Sequence, residues 1–270
     1  MEIFSEFLGR KIEIPDDPRR IVSLAPDITD TLFRLNAQDR LVGISFYCRR
    51  PFGKLKNFVR VGSYLNVLWE KLEELKPDLV LTTSGAQREV SYEILERGYK
   101  IFVLPVPQTI YGIFDNIKKL GIILNKDMES DKLVEDLERV IRLLKESRFN
   151  MRVYYEVYLG GKITIGASSY ISDGLKILGL ENIYNFKRES YFVPDDNETK
   201  RLGFDILLYE PHSEKIDRDF LVKNLEERFG KVKILVLPYD FLSHYGPSFF
   251  DEIIVKLRDL ILEYVEHGKS

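Results

Sequence analysis

Short apolar runs alternate with helical patterns along this chain, and that alternation limits its fold more than any other feature. In the first half, four runs at residues 20–24, 41–45, 79–82 and 100–104 read as buried strands, each followed by polar turn residues and then a helical pattern. A tight turn cannot join two parallel strands, so a helix between successive strands implies crossover connections and a parallel sheet. After residue 150 the pattern begins again, with strands expected at 152–157, 205–209 and 233–237. The fold class read from this grammar is α/β, with two parallel-sheet lobes. A length of 270 residues agrees, because single cores stop growing near that size.

The two halves also echo each other. Residues 75–81 (LKPDLVL) parallel 202–208 (LGFDILL), and 100–105 (KIFVLP) parallel 233–238 (KILVLP). Asp27 or Thr29 is expected to cap a helix over 31–36, and a helix over 69–75 ends against Lys76-Pro77. Gly160-Gly161 lies between two strand-like runs and reads as a hairpin turn, not a phosphate loop, since GxxxxGK[ST] is absent. Ser168 and Ser169 miss the GxSxG elbow by one position and read as the cap of a helix over 171–178. Between the halves, Leu133, Val134, Leu137, Val140, Ile141 and Leu144 follow helical spacing with no Gly or Pro inside. This predicts one continuous helix over 127–148, a strut of roughly 33 Å. The expected organisation is a lobe over 1–125, a connecting helix over 126–149 and a second lobe over 150–270.

Composition excludes several classes. Apolar residues are 44% and charged residues 31%, which rules out disorder. The 40 Lys and Arg against 43 Asp and Glu leave a net charge of −3, no field for a polyanion, so nucleic acid is not expected. The single cysteine, Cys48, excludes an intrachain disulfide and any cysteine-based metal cage. No uninterrupted apolar run approaches the ~18 residues of a membrane span. The start, MEIFSEFLGRKIEIP, lacks a basic n-region and an h-region. The expectation is therefore cytoplasmic if the chain is complete as given, and extracytoplasmic (periplasmic or membrane-anchored) if a signal was removed. Abundant Lys and Glu with Gln only at Gln38, Gln87 and Gln108 is a balance met in thermophile proteins.

Catalytic patterns are missing. His212, His244 and His267 show no metal-ligand spacing, and no nucleophile sits beside a base. No enzyme, resident cofactor or metal is expected. The strand-to-helix loops, where open parallel sheets bind ligands, instead mix aromatics with hydrogen-bonding groups. In the first half they contain Pro26 and Asp27, then Tyr47, Cys48 and Arg49, then Tyr64, then Ser84 and Gln87; in the second, Ser168, His212 and His244. Such a set suits a large, flat, amphipathic ligand.

The run RIVSLAPDITD at 20–30 resembles the opening strand and loop of the ABC-transporter substrate-binding proteins for vitamin B12, iron siderophores and haem. VGIS at 42–45, CRRP at 48–51, VGSYLN at 61–66 and LKPDLVL at 75–81 continue the resemblance in order, closest to the vitamin B12 branch. In the second half TIG at 164–166, ISD at 171–173 and LGLENI at 178–183 are similar to that family's second-lobe segment. Tyr64 replaces the more usual Trp, Leu180 replaces a Gly, and Pro247-Ser248 stands where Pro-Arg is usual.

The resemblance implies a class III periplasmic-binding-protein-like fold, with ligand held between two lobes joined by one long helix. It places Tyr64 and Tyr47 against the ligand, with Tyr191 or Phe192 as the facing aromatic. It makes Glu70 and Glu198 docking charges for arginines of a permease dimer. The reading is a monomeric, non-catalytic receptor that binds a corrinoid, or alternatively a ferric siderophore or haem, and touches the membrane only through an ABC permease. The rivals are an intracellular carrier or sensor of the same fold without a permease, and an enzyme handling a tetrapyrrole or metal.

Overall fold

The computed structural model describes residues 1–146 and 148–267, with side chains through Tyr264. The chain forms two compact units. The first holds Met1–Val106, Tyr111–Leu137 and Gly246–Ser248; the second holds Pro107–Ile110, Glu138–Tyr245 and the chain from Phe249.

The first unit opens with an antiparallel hairpin, β1 (Glu2–Ser5) and β2 (Arg10–Glu13), that the strand pattern did not anticipate. There follow β3 (Ile21–Ser23), α1 (Pro26–Arg34), β4 (Leu41–Ile44), β5 (Val59–Arg60), α2 (Trp69–Leu75), β6 (Leu79–Thr83), α3 (Arg88–Glu96), β7 (Ile101–Leu104) and α4 (Ile110–Leu124). Strands β3 to β7 form a parallel sheet in the order β5-β4-β3-β6-β7. Every residue of β3, β6 and β7 is buried, as a sheet covered on both faces requires. The chain enters the sheet at β3, builds outward through β4 and β5, then crosses to β6 and β7. The strand order therefore reverses between β3 and β6, which is where such sheets open a crevice at their carboxyl ends.

Helix α1 departs from expectation. It starts at Pro26, with Ala25 as a cap that makes no side-chain hydrogen bond, so neither Asp27 nor Thr29 caps it. Proline is suited to the first helical position because its φ is preset and it has no N–H to satisfy. Released from capping, the Thr29 hydroxyl donates to Ser23 Oγ at 2.9 Å and lies 3.1 Å from Cys48 Sγ. Helix α2 closes as expected, with Lys76 in the left-handed region at φ 45.

The long helix, α5 (Asp127–Leu144), is 18 residues long and not the 22 expected. At 1.5 Å per residue it spans about 27 Å. Its residues through Leu137 belong to the first unit and those from Glu138 to the second. Lys145 and Glu146 follow it as a turn, and Ser147 lies outside the described residues.

The second unit comprises β8 (Met151–Tyr158), β9 (Lys162–Ile165), α6 (Tyr170–Ile177), β10 (Leu180–Asn182), β11 (Tyr191–Phe192), α7 (Asp196–Leu202), β12 (Ile206–Glu210), α8 (Arg218–Phe229), β13 (Ile234–Val236) and, after a π-helical turn at Phe249–Ile254, α9 (Val255–His267). Its sheet is mixed. β8, β10, β12 and β13 are parallel; β9 runs antiparallel to β8, and β11 pairs antiparallel with β9. The β8–β9 connection is the hairpin read at Gly160-Gly161, with Gly160 at φ 82.

The internal echo is structural. In the first unit Ile21 pairs with Leu79, and in the second Val153 pairs with Ile206, so the two registers match. Asp78 N–H donates to Arg20 O at 2.9 Å, and Asp205 N–H donates to Arg152 O at 2.8 Å. The Arg20 guanidinium bonds the Leu75 carbonyl that ends α2, and Arg152 bonds the Leu202 carbonyl that ends α7. The repeated Leu-x-x-Asp thus marks the same device in each unit, a strand start tied to the end of the preceding helix.

Candidate functional site

In the first unit the loops leaving β3, β4, β5 and β6 gather at the crevice between β3 and β6. Gly62 begins the turn that carries Tyr64. Its φ is +148, and a Cβ there would lie 2.1 Å from Asn66 O, so only glycine fits. Ser63 N–H donates to Asn66 O, and the Ser63 hydroxyl accepts from Asn66 N–H, which closes the turn.

Tyr64 is half-buried, and its ring meets that of Tyr47 edge-on at 6.4 Å and 81°. The Tyr64 hydroxyl lies 3.1 Å from Thr83 Oγ1, at the end of β6. Tyr47 is 44% exposed, and Phe46 and Phe52 beside it are more so. The loop that bears them is fixed from beneath, where Arg60 Nη1 donates to the carbonyls of Ser45 at 2.6 Å and Cys48 at 2.8 Å. The Arg50 guanidinium caps the Phe52 ring at 4.9 Å.

Several residues expected at the ligand are buried or half-buried. Cys48 is buried, and burial pushes its thiol up to about 12 despite the Thr29 contact, so it is an inert packing group. Asp27 is buried in the first turn of α1, Pro26 is half-buried as its first residue, and Arg49 is half-buried. Ser84 Oγ accepts from Val106 N–H at 2.9 Å. Gln87, fully buried, spends its amide on protein partners. Its Oε1 accepts from Thr83 N–H at 2.9 Å and from Thr83 Oγ1 at 3.0 Å; its Nε2 donates to Leu24 O at 3.0 Å and Tyr64 O at 3.2 Å.

In the second unit the strand order likewise reverses between β8 and β12. There stands Glu210, which the matched registers make the counterpart of Thr83 and which the sequence reading passed over. Its carboxylate is 1% exposed and accepts from the backbone N–H groups of Phe241 at 2.9 Å and Leu242 at 2.8 Å, from Ser243 N–H and Oγ, and from Tyr155 Oη at 2.9 Å. Burial pushes its pKa above the ordinary carboxylate value, against the pull of those donors. The Tyr170 hydroxyl donates to Leu242 O at 2.9 Å and holds the same loop from the other side.

His244, expected at the ligand, is buried in this loop, whereas His212 is exposed with its ring 5.0 Å from that of Tyr158. Adjacent strand residues face opposite ways, so Tyr191 and Phe192 are not interchangeable. Tyr191 is 37% exposed, while Phe192 is half-buried and packs edge-on to Tyr184 at 5.0 Å against the core. Ser168 is half-buried, and Ser169, not Ser168, caps α6 by accepting from Ile171 N–H. The His267 side chain lies outside the described residues.

Of the two docking candidates, Glu70 is exposed in the first turn of α2. Glu198 lies inside the first turn of α7 and pairs with Lys187 at 3.0 Å. The α7 start carries a wider ion network. Asp196 accepts from Lys162 at 2.7 Å and from Arg228, which also grips the buried Glu156 with two bonds of 2.7 Å. Among the described residues no three His, Cys, Asp or Glu side chains gather as metal ligands, and no helix is long and apolar enough to cross a membrane.

Two α/β units each present pinned loops at a reversal of strand order. Residues 21–228 match the family described as periplasmic binding protein, and the chain belongs to that family, whose members bind substrates and are not enzymes. The chain is 24% identical over 184 residues to YvrC of Bacillus subtilis, an uncharacterized ABC transporter substrate-binding lipoprotein, covering 64% of this chain and 58% of that one. It is 27% identical over 175 residues to a vitamin B12-binding protein of Vibrio campbellii, covering 62% of each. The chain thus spans about three fifths of the length of these curated relatives. The petrobactin-binding protein YclQ of Bacillus subtilis shares the fold with a TM-score of 0.79 at 17% identity, over 96% of this chain and 98% of that one.

Proposed function

We propose that this chain is the substrate-binding component of an ABC importer, that it works outside the cytoplasm, and that its cargo is a corrinoid. The observation that carries the reading is the Tyr47–Tyr64 pair, an exposed aromatic edge set at the first unit's strand-order reversal and anchored by hydroxyl to Thr83. Open α/β sheets take ligands at such crevices, and aromatic faces with nearby hydroxyls suit a flat ring system with polar substituents. The likeness to a vitamin B12-binding protein supports the corrinoid, and the likeness to a petrobactin-binding protein keeps iron chelates as the competing cargo. Cys48, Gln87 and His244 support the loops from inside.

The test is a visible-absorbance titration of the protein with cyanocobalamin, haem and a ferric siderophore, repeated with Tyr64→Ala. Cyanocobalamin should bind, and loss of the aromatic contact should weaken it by about 1–2 kcal/mol. Saturation by haem or the siderophore alone refutes the corrinoid, and no binding of any of the three refutes the receptor reading.

A further inference from the structure

We propose that Gln87 is the positioning residue that sets both the place and the hydrogen-bond polarity of Tyr64. The inference rests on the reading of Tyr64 as a ligand contact, but its first test needs no ligand. The Gln87 amide has two acceptor and two donor positions, and all four are used by protein groups. Its orientation is unambiguous: the oxygen faces an N–H and a hydroxyl, the nitrogen faces two carbonyls, and turning the amide over would set donor against donor at Thr83 and acceptor against acceptor at Leu24 and Tyr64. Three chain segments meet in this one group. They are the end of β3 at Leu24, the glycine turn at Tyr64 and the end of β6 at Thr83.

Tyr64 is held twice by this arrangement. Gln87 Nε2 bonds its backbone carbonyl at 3.2 Å, and Gln87 Oε1 engages the threonine hydroxyl that in turn meets the Tyr64 phenol. Thr83 has one hydroxyl proton, and it is donated to Gln87. In the contact between Tyr64 and Thr83 the phenol must therefore be the donor. Gln87, Thr83 and Tyr64 form a relay in which the buried amide decides the direction of the phenol's bond.

The test uses the full chain with fluorotyrosine at position 64, read by fluorine NMR without ligand. Wild type should give one narrow line, and Gln87→Met should shift or broaden it in the folded protein. A merely structural Gln87 would lower the unfolding midpoint and leave the folded-state line in place, which would overturn the proposal. Should Gln87→Met fail to fold, Thr83→Val removes only the hydroxyl link and should move the line, whereas Thr83→Ser should restore it; an unmoved line with Val overturns the proposal.

The second arm is a double-mutant cycle with cyanocobalamin as probe. Gln87→Met should weaken binding roughly fivefold to tenfold when Tyr64 is present and leave it unchanged in the Tyr64→Ala background. Equal losses in both backgrounds would overturn the positioning role. If cyanocobalamin does not bind wild type, the corrinoid reading fails and the fluorine line alone decides the role of Gln87.

Discussion

Replacing Glu210 by Gln alters one atom of a fully buried anchor, and its cost can be worked out from the hydrogen bonds. The carboxylate presents two oxygens to a set of donors: Phe241 N–H and Ser243 Oγ on Oε1, Leu242 N–H and Tyr155 Oη on Oε2, and Ser243 N–H near both. Glutamine has one oxygen, so whichever way the amide turns, an NH2 group faces a backbone N–H that cannot rotate away. A stranded buried donor costs about 1–3 kcal/mol, and the bonds that survive lose their charge assistance, about 1 kcal/mol each. The relief of no longer burying a charge offsets part of this, consistent with burial raising the Glu210 pKa. The net expectation is a loss of about 3 kcal/mol, which at roughly 2–4 °C per kcal/mol lowers the midpoint by about 6–12 °C. Thermal unfolding followed by circular dichroism measures the total, and amide hydrogen exchange at 241–243 measures the loop itself. A variant within about 2 °C of wild type, with those amides as protected as before, would refute Glu210 as the anchor.

Two further outcomes follow from charges. Hydrogen bonds from Arg228, with Lys162 adding to them, hold the Asp196 carboxyl down to about 2 from 3.8, so its contribution to stability is present above pH 3.8 and is lost as pH falls from there toward 2. Solvent at this part-exposed site screens the gain. Urea midpoints at pH 5 and pH 2 should show wild type losing its advantage over Asp196→Asn, and a difference that does not change with pH contradicts this. If the chain serves an importer as proposed above, exposed Glu70 and paired Glu198 should also differ in docking: Glu70→Ala should slow association with a reconstituted permease and weaken its salt dependence more than Glu198→Ala does, because Lys187 already neutralises Glu198. Rates equal to wild type for both variants would leave these glutamates as helix-start residues favoured by the dipole alone.

The α/β class, the strand cores and the doubling of the chain are legible in the amino-acid order alone. Those signals are local: apolar runs of strand length, Lys76-Pro77 as a helix stop, and the Asp78 and Asp205 echo that proved to be one tie repeated. It also indicated which loops carry aromatics, because Gly62 and its neighbours stand in a row. What it could not supply was the direction each side chain takes. Gln87, Cys48 and His244 are polar or reactive residues in candidate loops, and only tertiary packing turned them inward. Nothing in the sequence marked Glu210, and it became an anchor because β12 ends where the Phe241 to Ser243 backbone arrives from 31 or more residues away. Asp27 and Thr29 had the right chemistry for a cap, yet Pro26 began the helix before them. The hairpin β1–β2 and the antiparallel strands β9 and β11 are stabilised by partners rather than by their own composition. Periodicity is written in neighbouring residues, but burial and hydrogen-bond partners depend on what the rest of the chain brings alongside, and only the folded structure decides that.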